Sequence, residues 1–157
     1  MRRALVAAAL VLACGTASAA TLTLARDSYA QIRARHAGRP LVVHIWGMSC
    51  GPCLVELPNW AALGRRRPDL DLVLIQADVS PPRAAEQTLA RAGLGRYESW
   101  RAAGEVDDFV RASIDPAWGG EMPRTLLVGA DGATTVVPGI ADLAAVTRWL
   151  DRAALRR

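Results

Sequence analysis

A chain of 157 residues with a formal charge of +4 is long enough for one domain with a buried core. Two of its 19 basic residues, Arg2 and Arg3, lie in a segment that we expect to be removed, which leaves 17 basic against 15 acidic residues. This near balance argues against a nucleic-acid-binding protein, and we expect no nucleic-acid partner.

Residues 1–20 have the pattern of a secretory signal peptide. After the two arginines come an apolar run from Ala4 to Ala13 and a small-residue cleavage site, Ala17-Ser18-Ala19. The apolar run is too short to be a lasting membrane anchor. We therefore predict that residues 21–157 are the mature domain, a soluble protein of the periplasm or another extracytoplasmic space.

Cys14 allows a second interpretation of this segment. Val11-Leu12-Ala13-Cys14-Gly15 resembles the lipobox of bacterial lipoproteins, in which the cysteine becomes the lipidated first residue. Because Leu12 is unusual at its place in that pattern, we favour the soluble form over a lipid anchor at Cys14. In either case Cys14 is unavailable for redox chemistry.

Hydrophobic periodicity and turn residues predict alternating strands and helices along the rest of the chain. The predicted strands are 21–24, 41–46, 71–77, 125–129 and 133–137. The predicted helices are 28–36, 50–67, 83–92, 97–103, 106–112 and 141–154. Pro58 lies inside the second helix, where we expect a kink because proline has no N–H to donate. The alternation predicts an α/β fold with parallel strands, and a hairpin turn at Asp131-Gly132 adds antiparallel ones.

Two cysteines open the second predicted helix directly after a buried strand. Gly47 supplies the turn, and Pro52 fits a first helical turn because its missing N–H has no partner there. A helix N-terminus gathers unpaired N–H donors and the positive end of the helix dipole, so a thiolate is favoured over a thiol at Cys50. Cys53, one turn further on, can attack a mixed disulfide formed on Cys50. The arrangement predicts a site of dithiol–disulfide exchange in which both cysteines are catalytic.

Three competing roles for the cysteine pair are less favoured. A structural zinc site needs four ligands, and the sequence adds only His36 and His44, with no second cysteine pair. A purely structural disulfide across two residues closes a tiny loop and constrains little of the unfolded chain. An incidental pair is disfavoured by the strand–loop–helix context. We therefore expect no metal, and no cofactor besides the redox-active Cys50–Cys53 disulfide.

Landmarks along the chain form a pattern known from other proteins. They are Trp46, Cys50-Gly51-Pro52-Cys53, Glu56, Pro58, Met122-Pro123, Asp131-Gly132 and Gly139. With them, residues 38–155 resemble the thioredoxin superfamily, and within it the exported TlpA/ResA-type thiol–disulfide reductases. The resemblance implies a thioredoxin-like fold with a central mixed sheet flanked by helices. It also implies an insertion, residues 79–118, between the second βα unit and the strand that follows Pro123.

The resemblance implies how a partner protein is bound. In such proteins the proline that matches Pro123 is cis and faces the cysteine pair, whereas the residues alone favour an ordinary trans proline at the start of a strand. The backbone of Met122 then pairs with an extended substrate segment. We place Trp46 with these two as a substrate-binding residue. Trp118 either borders the site or is a core tryptophan.

The resemblance also raises two alternatives for polar residues near the pair. Thioredoxins have a buried aspartate six residues before the first cysteine, proposed to move the proton of the resolving thiol, and His44 stands there. A histidine can do the same, since its unperturbed pKa is near neutrality, or it is a neutral core group bonded to backbone. Glu56 is either an acid behind the site or, as we favour, a helix-face charge paired with an arginine. Two further residues differ from the pattern of the family: Ser49 stands before the first cysteine, where a tryptophan is usual, and Leu54 stands after the second, where a basic residue is frequent.

The function implied is that of an extracytoplasmic thiol–disulfide oxidoreductase which exchanges the Cys50–Cys53 disulfide with cysteines of partner proteins. Gly51-Pro52 suggests a reductase, with a potential of about −270 mV if it behaves like thioredoxin. A reductant in an oxidising compartment needs a membrane thiol electron donor. The implied clients are apocytochrome c cysteines, hence cytochrome c maturation, or copper-site thiols, and we expect a monomer. The alternative is a Cu(I) metallochaperone that uses the same two cysteines, because soft thiolates suit that ion.

Overall fold

A computed structural model describes residues 20–155 of the chain, so the predicted signal peptide and Cys14 lie outside the described residues. Residues 20–155 contain six strands and five helices, which alternate except that the last two strands are consecutive. In chain order they are β1 (Thr21–Leu24), α1 (Ser28–Arg35), β2 (Leu41–Trp46), α2 (Gly51–Arg66), β3 (Leu72–Gln76), α3 (Pro82–Ala92), β4 (Glu98–Ala102), α4 (Asp108–Ile114), β5 (Arg124–Val128), β6 (Thr134–Pro138) and α5 (Leu143–Ala154). None of these helices has both the length and the apolar character that crossing a bilayer requires.

The strands form one mixed sheet in the order β1-β4-β3-β2-β5-β6. The pairs from β1 to β2 are parallel, whereas β5 and β6 are antiparallel to their neighbours. Parallel pairing brings the carboxyl ends of β2 and β3 to the same edge of the sheet, and antiparallel β5 begins at that edge. The segments that follow β2 and β3 and the segment that precedes β5 are therefore neighbours. The predicted mixed α/β sheet is confirmed.

Alternation along β2 divides the interior into two clusters, one on each face of the sheet. Val42 and Trp46 point to the face covered by α2, α3 and α5, while Val43 and Ile45 point to the face covered by α1 and α4. All six residues of β2 are buried, as expected for a central strand with helices on both sides. His44 shares the α2 face with Val42 and Trp46, because side chains two apart on a strand point the same way.

The helix predicted for residues 97–103 is wrong, because Glu98–Ala102 forms strand β4. This strand lies between β1 and β3, and Trp100 pairs with Leu22 on one side and Ile75 on the other. Its indole is buried, and its ring nitrogen donates to Glu98 Oε1 at 2.6 Å. Pairing with two strands distant in sequence decides the conformation here, which local propensity does not report. Helix α2 continues through Pro58 to Arg66, and the kink stays a prediction.

Candidate active site

The cysteine pair lies at the start of α2, where the chain leaves the central strand β2. Cys50 caps the helix, and its Sγ accepts a hydrogen bond from the Cys53 N–H at 3.2 Å. A disulfide joins the two residues. Cys50 is partly exposed, whereas Cys53 is 0% exposed because it lies on the buried face of α2. Of the two cysteines, only Cys50 therefore offers any surface to a partner molecule.

The Met122–Pro123 segment lies beside the cysteine loop. The peptide bond before Pro123 is cis, as the resemblance implies. Pro123 is buried, and its carbonyl accepts a hydrogen bond from the Gly139 N–H at 2.9 Å. A Cβ atom on Gly47 would lie 2.9 Å from the Met122 Cε, so the two loops are in close contact. The structure thus brings Met122 and Pro123 to the edge of the sheet that carries Cys50.

A buried ion pair holds the segment that precedes Pro123. Arg124 donates from Nε and Nη2 to Asp115 Oδ2, at 2.9 and 2.5 Å, and from Nη1 to Glu121 Oε1 at 2.6 Å. Burial alone would raise the pKa of Asp115, but its hydrogen bonds with Arg124 bring that pKa below the ordinary value. The Trp118 indole N–H donates to the Glu121 carbonyl at 2.9 Å. Trp118 is buried in the cluster under α1 and α4, which favours its interpretation as a core tryptophan.

His44 is a neutral group in the interior. It is wholly buried, its Nδ1 lies 3.0 Å from Thr125 Oγ1, and its ring packs against Trp60 with centroids 5.0 Å apart. Burial lowers the pKa of His44 to about 3, because a charged imidazole would lose its hydration there. Its hydrogen-bond partner is a hydroxyl on β5 and not a backbone group. At neutral pH His44 carries no charge.

The hypothesis that Glu56 is a helix-face charge paired with an arginine is wrong. Glu56 is 1% exposed, and its Oε1 accepts the Ala141 N–H at 2.9 Å because the chain before α5 folds over α2. Its Oε2 lies 4.0 Å from His44 Nε2, with no hydrogen bond between them. Burial raises the pKa of Glu56, and the bond from Ala141 opposes that rise. Glu56 and Cys53, three residues apart on α2, share its buried face.

The prediction that Trp46 binds substrate is also corrected. Its side chain is 0% exposed, because it ends the central strand and points into the cluster under α2. A side chain in that position packs in the core beneath the cysteine loop and has no exposed surface that a partner could contact. Near the start of α2, directly after the cysteines, the exposed apolar side chains are instead those of Leu54 and Val55.

Asp78 is absent from the residues that the sequence predicts for the site. It follows β3, and its Oδ2 accepts hydrogen bonds from both the backbone N–H and the hydroxyl of Ser49, at 2.6 and 2.7 Å. One signal in the sequence does point to it. β3 follows β2 through a helix, and in such units the carboxyl ends of the two parallel strands meet at one edge. An acidic residue after β3 is therefore placed near the loop that follows β2.

We expect Gly47→Ala to disturb this loop. The added methyl carbon would lie 2.8 Å from the Asp78 carboxylate and 2.9 Å from the Met122 side chain, closer than packed atoms approach. The carboxylate cannot swing away without breaking its bonds to Ser49, so the free energy of unfolding should fall by about 1–3 kcal/mol. Urea titration checks this value. Gly51→Ala is the control, because its Cβ would meet no atom within 4 Å, and an equal loss in both variants would contradict this cause.

No protein-family model matches the chain, and no curated protein matches it. Solved structures do match. A DsbF homologue from Corynebacterium diphtheriae superposes with a TM-score of 0.66 at 16% identity, over 76% of this chain and 75% of that one. A secreted Mycobacterium tuberculosis disulfide oxidoreductase homologous to E. coli DsbE gives 0.59 at 20% identity, over 78% and 85%. A thioredoxin-family thiol:disulfide interchange protein from Chlorobium tepidum gives 0.62 at 16%, over 77% and 83%. The chain therefore has the thioredoxin-like fold that the sequence predicts.

Proposed function

We propose that this protein is an extracytoplasmic thiol–disulfide oxidoreductase that reduces disulfides of partner proteins. The observation that carries the proposal is the disulfide at the start of α2, in which Cys50 is partly exposed and Cys53 is buried. The Met122–Pro123 segment packed beside it supports the same function. Further support comes from the Mycobacterium tuberculosis and Chlorobium tepidum proteins, which share the fold and are described as a disulfide oxidoreductase and an interchange protein.

The first half of the reaction takes place on Cys50. In the reduced protein its thiolate attacks one sulfur of a partner disulfide, that S–S bond breaks, and the other partner sulfur leaves as a thiolate. The N-terminus of α2 stabilises the attacking anion through its free N–H groups and its dipole. One of these donors is the Cys53 N–H, which donates to Cys50 Sγ at 3.2 Å. The product is a mixed disulfide between Cys50 and the partner.

The second half is the attack of Cys53 on the Cys50 sulfur. The Cys53 thiol gives up its proton, the Cys50–partner bond breaks, and the partner leaves with its second thiolate. Two electrons have then passed to the partner, and the Cys50–Cys53 disulfide has formed. Glu56 is the better acceptor for this proton, because its raised pKa is closer to that of a thiol, whereas the pKa of His44 is about 3. His44 adjoins Glu56 as a neutral neighbour.

In the proposed function, the partner protein binds along the Met122–Pro123 segment. The Met122 backbone pairs with an extended stretch of the partner protein, in the manner of an added strand. The protein acts as a monomer. After each cycle, a membrane protein with a reduced cysteine pair reduces the Cys50–Cys53 disulfide again. Apocytochrome c cysteines are the proposed clients, which would place the protein in cytochrome c maturation. A measured potential near that of a strong oxidant would reverse the proposed direction.

Trapping with Cys53→Ser tests this function. Without the second thiol, the mixed disulfide on Cys50 cannot be resolved, so we expect partner proteins to stay covalently linked to the variant expressed in its native compartment. The measurement is a shift in mass on a non-reducing gel that a reducing agent abolishes. The Cys50→Ser/Cys53→Ser double variant is the control and should capture nothing. No adduct with the single variant, or the same adducts with both, would contradict the proposal.

A further inference from the structure

Asp78 connects the end of β3 with the turn that carries Cys50. Its Oδ2 accepts hydrogen bonds from the Ser49 N–H at 2.6 Å and from the Ser49 hydroxyl at 2.7 Å. Its Oδ1 accepts a third bond from Gln76 Nε2 at 2.8 Å, and Gln76 is itself 1% exposed. Both carboxylate oxygens are therefore occupied, one by a rigid residue of the sheet and the other by the residue immediately before Cys50.

This carboxylate also packs against the turn itself. A Cβ on Gly47 would lie 2.8 Å from both Cγ and Oδ2 of Asp78, which means that the carboxylate packs directly on the backbone at the base of the turn. The only residue type that permits this approach is glycine, which has no Cβ. The Met122 side chain packs against the same glycine from the other loop of the site. Asp78 thus lies within the site and is not a remote surface charge.

The carboxylate is ionised at neutral pH. Partial burial alone would raise the pKa of Asp78, but the hydrogen bonds from Gln76 and Ser49 bring it below its ordinary value. Within residues 20–155, no arginine or histidine forms an ion pair with Asp78. Arg111 and Asp78 line one surface cavity, but the Arg111 guanidinium pairs with Asp108. Hydrogen bonds, and no ion pair among the described residues, therefore stabilise the negative charge behind Ser49.

We propose that Asp78 is a positioning residue for Cys50: its carboxylate holds the turn at Ser49, and its charge opposes the Cys50 thiolate, which makes the reduced protein a stronger electron donor. The second effect follows because a like charge disfavours an anion. A less stable thiolate raises the free energy of the reduced form relative to the disulfide. This inference rests on the proposed exchange reaction, and it explains why the cysteine pair would reduce partner disulfides and not oxidise partner thiols.

Other charged groups also surround the disulfide, and each is distinguishable from Asp78. Glu56 shares the buried face of α2 with Cys53 and accepts a hydrogen bond from Ala141, and His44 lies on β2 with its Nε2 4.0 Å from Glu56. On the other loop, Glu121 is paired with Arg124, so its charge is largely compensated. Asp142, ahead of α5, is exposed and caps that helix through the Ala144 N–H. A neutral replacement at position 78 therefore changes one charge that the others do not duplicate.

Asp78→Asn tests the inference in the full-length reduced protein. The amide has the same shape and keeps an oxygen that can accept the Ser49 N–H, but it carries no charge. We expect the pKa of the Cys50 thiol, measured from the rate of alkylation against pH, to fall by about one unit. The reduction potential, measured by equilibration with glutathione, should become less negative. Asp78→Ser is a second neutral replacement that should shift both quantities in the same direction, should the amide variant fold poorly.

Two controls separate charge from structure. Asp131→Asn removes the same charge in the β5–β6 turn at the opposite end of the sheet, and we expect no change in the Cys50 pKa. Ser49→Ala removes the hydroxyl bond but keeps both the carboxylate and the Ser49 N–H bond, so its Cys50 pKa should match the wild type. An unchanged pKa in both variants at position 78, or an equal fall in either control, would overturn the inference. Thiol titration needs no partner protein, so this result is independent of whether the wild type reduces any disulfide.

Discussion

The Cys50→Ser variant is expected to lose disulfide exchange, with the reduction of insulin by dithiothreitol falling to the uncatalysed rate. A serine hydroxyl is not ionised at neutral pH, whereas a thiol at a helix N-terminus readily forms the nucleophilic anion. Cys53 cannot substitute, because its sulfur is wholly buried on the inner face of α2. The rate of insulin precipitation, followed by turbidity, measures the loss.

Cys53→Ser is the matched control for this variant. It keeps the exposed nucleophile, so it should still form one equivalent of mixed disulfide with a small-molecule disulfide, although it cannot turn over. Circular dichroism of both variants checks that each retains the fold. If Cys50→Ser reduces insulin at the rate of the wild type, Cys50 is not the attacking residue and the proposed mechanism is wrong.

Acidification should destabilise the protein through His44. The pKa of His44 in the folded state, about 3, lies below its ordinary value of 6.5, so the unfolded chain takes up the proton first. The contribution of this residue to stability is therefore complete above pH 6.5 and decreases as the pH falls from 6.5 toward about 3. At pH 4 the loss amounts to about 3 kcal/mol in the free energy of unfolding.

The difference between the wild type and His44→Phe isolates this contribution. Phenylalanine preserves a ring against Trp60 but does not titrate. Between pH 7 and pH 4, the free energy of unfolding of the wild type should therefore fall by about 3 kcal/mol more than that of the variant. Glu56 acts in the opposite sense, because burial raises its pKa and its stabilisation is lost as the pH rises above 4.5. Urea titrations at each pH supply the data. Thr125→Val is the control: it removes the hydroxyl bonded to His44 but leaves the imidazole in place, so this variant should remain acid-sensitive. If the free energies of unfolding of the wild type and His44→Phe differ by the same amount at every pH, His44 is not the cause.

Local sequence patterns were sufficient for the elements that bury a continuous apolar face. β2, in which every residue except His44 is apolar, and α5, with apolar residues at helical spacing, both form as predicted. β4 shows the limit of such patterns. Glu98–Ala102 has no strand alternation strong enough to outweigh its helix-forming residues, and it becomes a strand because β1 and β3 offer it backbone partners on both sides.

In the candidate site, too, some residues are predictable from local sequence and others depend on tertiary packing. The role expected for the cysteine pair follows from short-range features, a strand, a turn and a helix start, which the structure contains. Glu56 could not be placed, because its burial depends on Ala141, which is 85 positions away along the chain. The sequence leaves the direction of the Trp46 side chain open for a related reason. A residue at the end of a strand can face a partner or the core, and only the packing of α2 over the sheet decides which.

The unequal burial of the two sulfurs has a kinetic consequence. Once a partner is attached to Cys50, the thiol that releases it is already in place one helical turn away, sheltered from thiols in solution. Release by Cys53 is then a first-order event, whose rate does not depend on the concentration of the partner. Thiols in solution can still attack the mixed disulfide directly, because Cys50 is partly exposed. In the proposed cycle, the first-order attack by Cys53 therefore sets an upper limit on how long a client stays bound, and thiols in the compartment can only shorten that time.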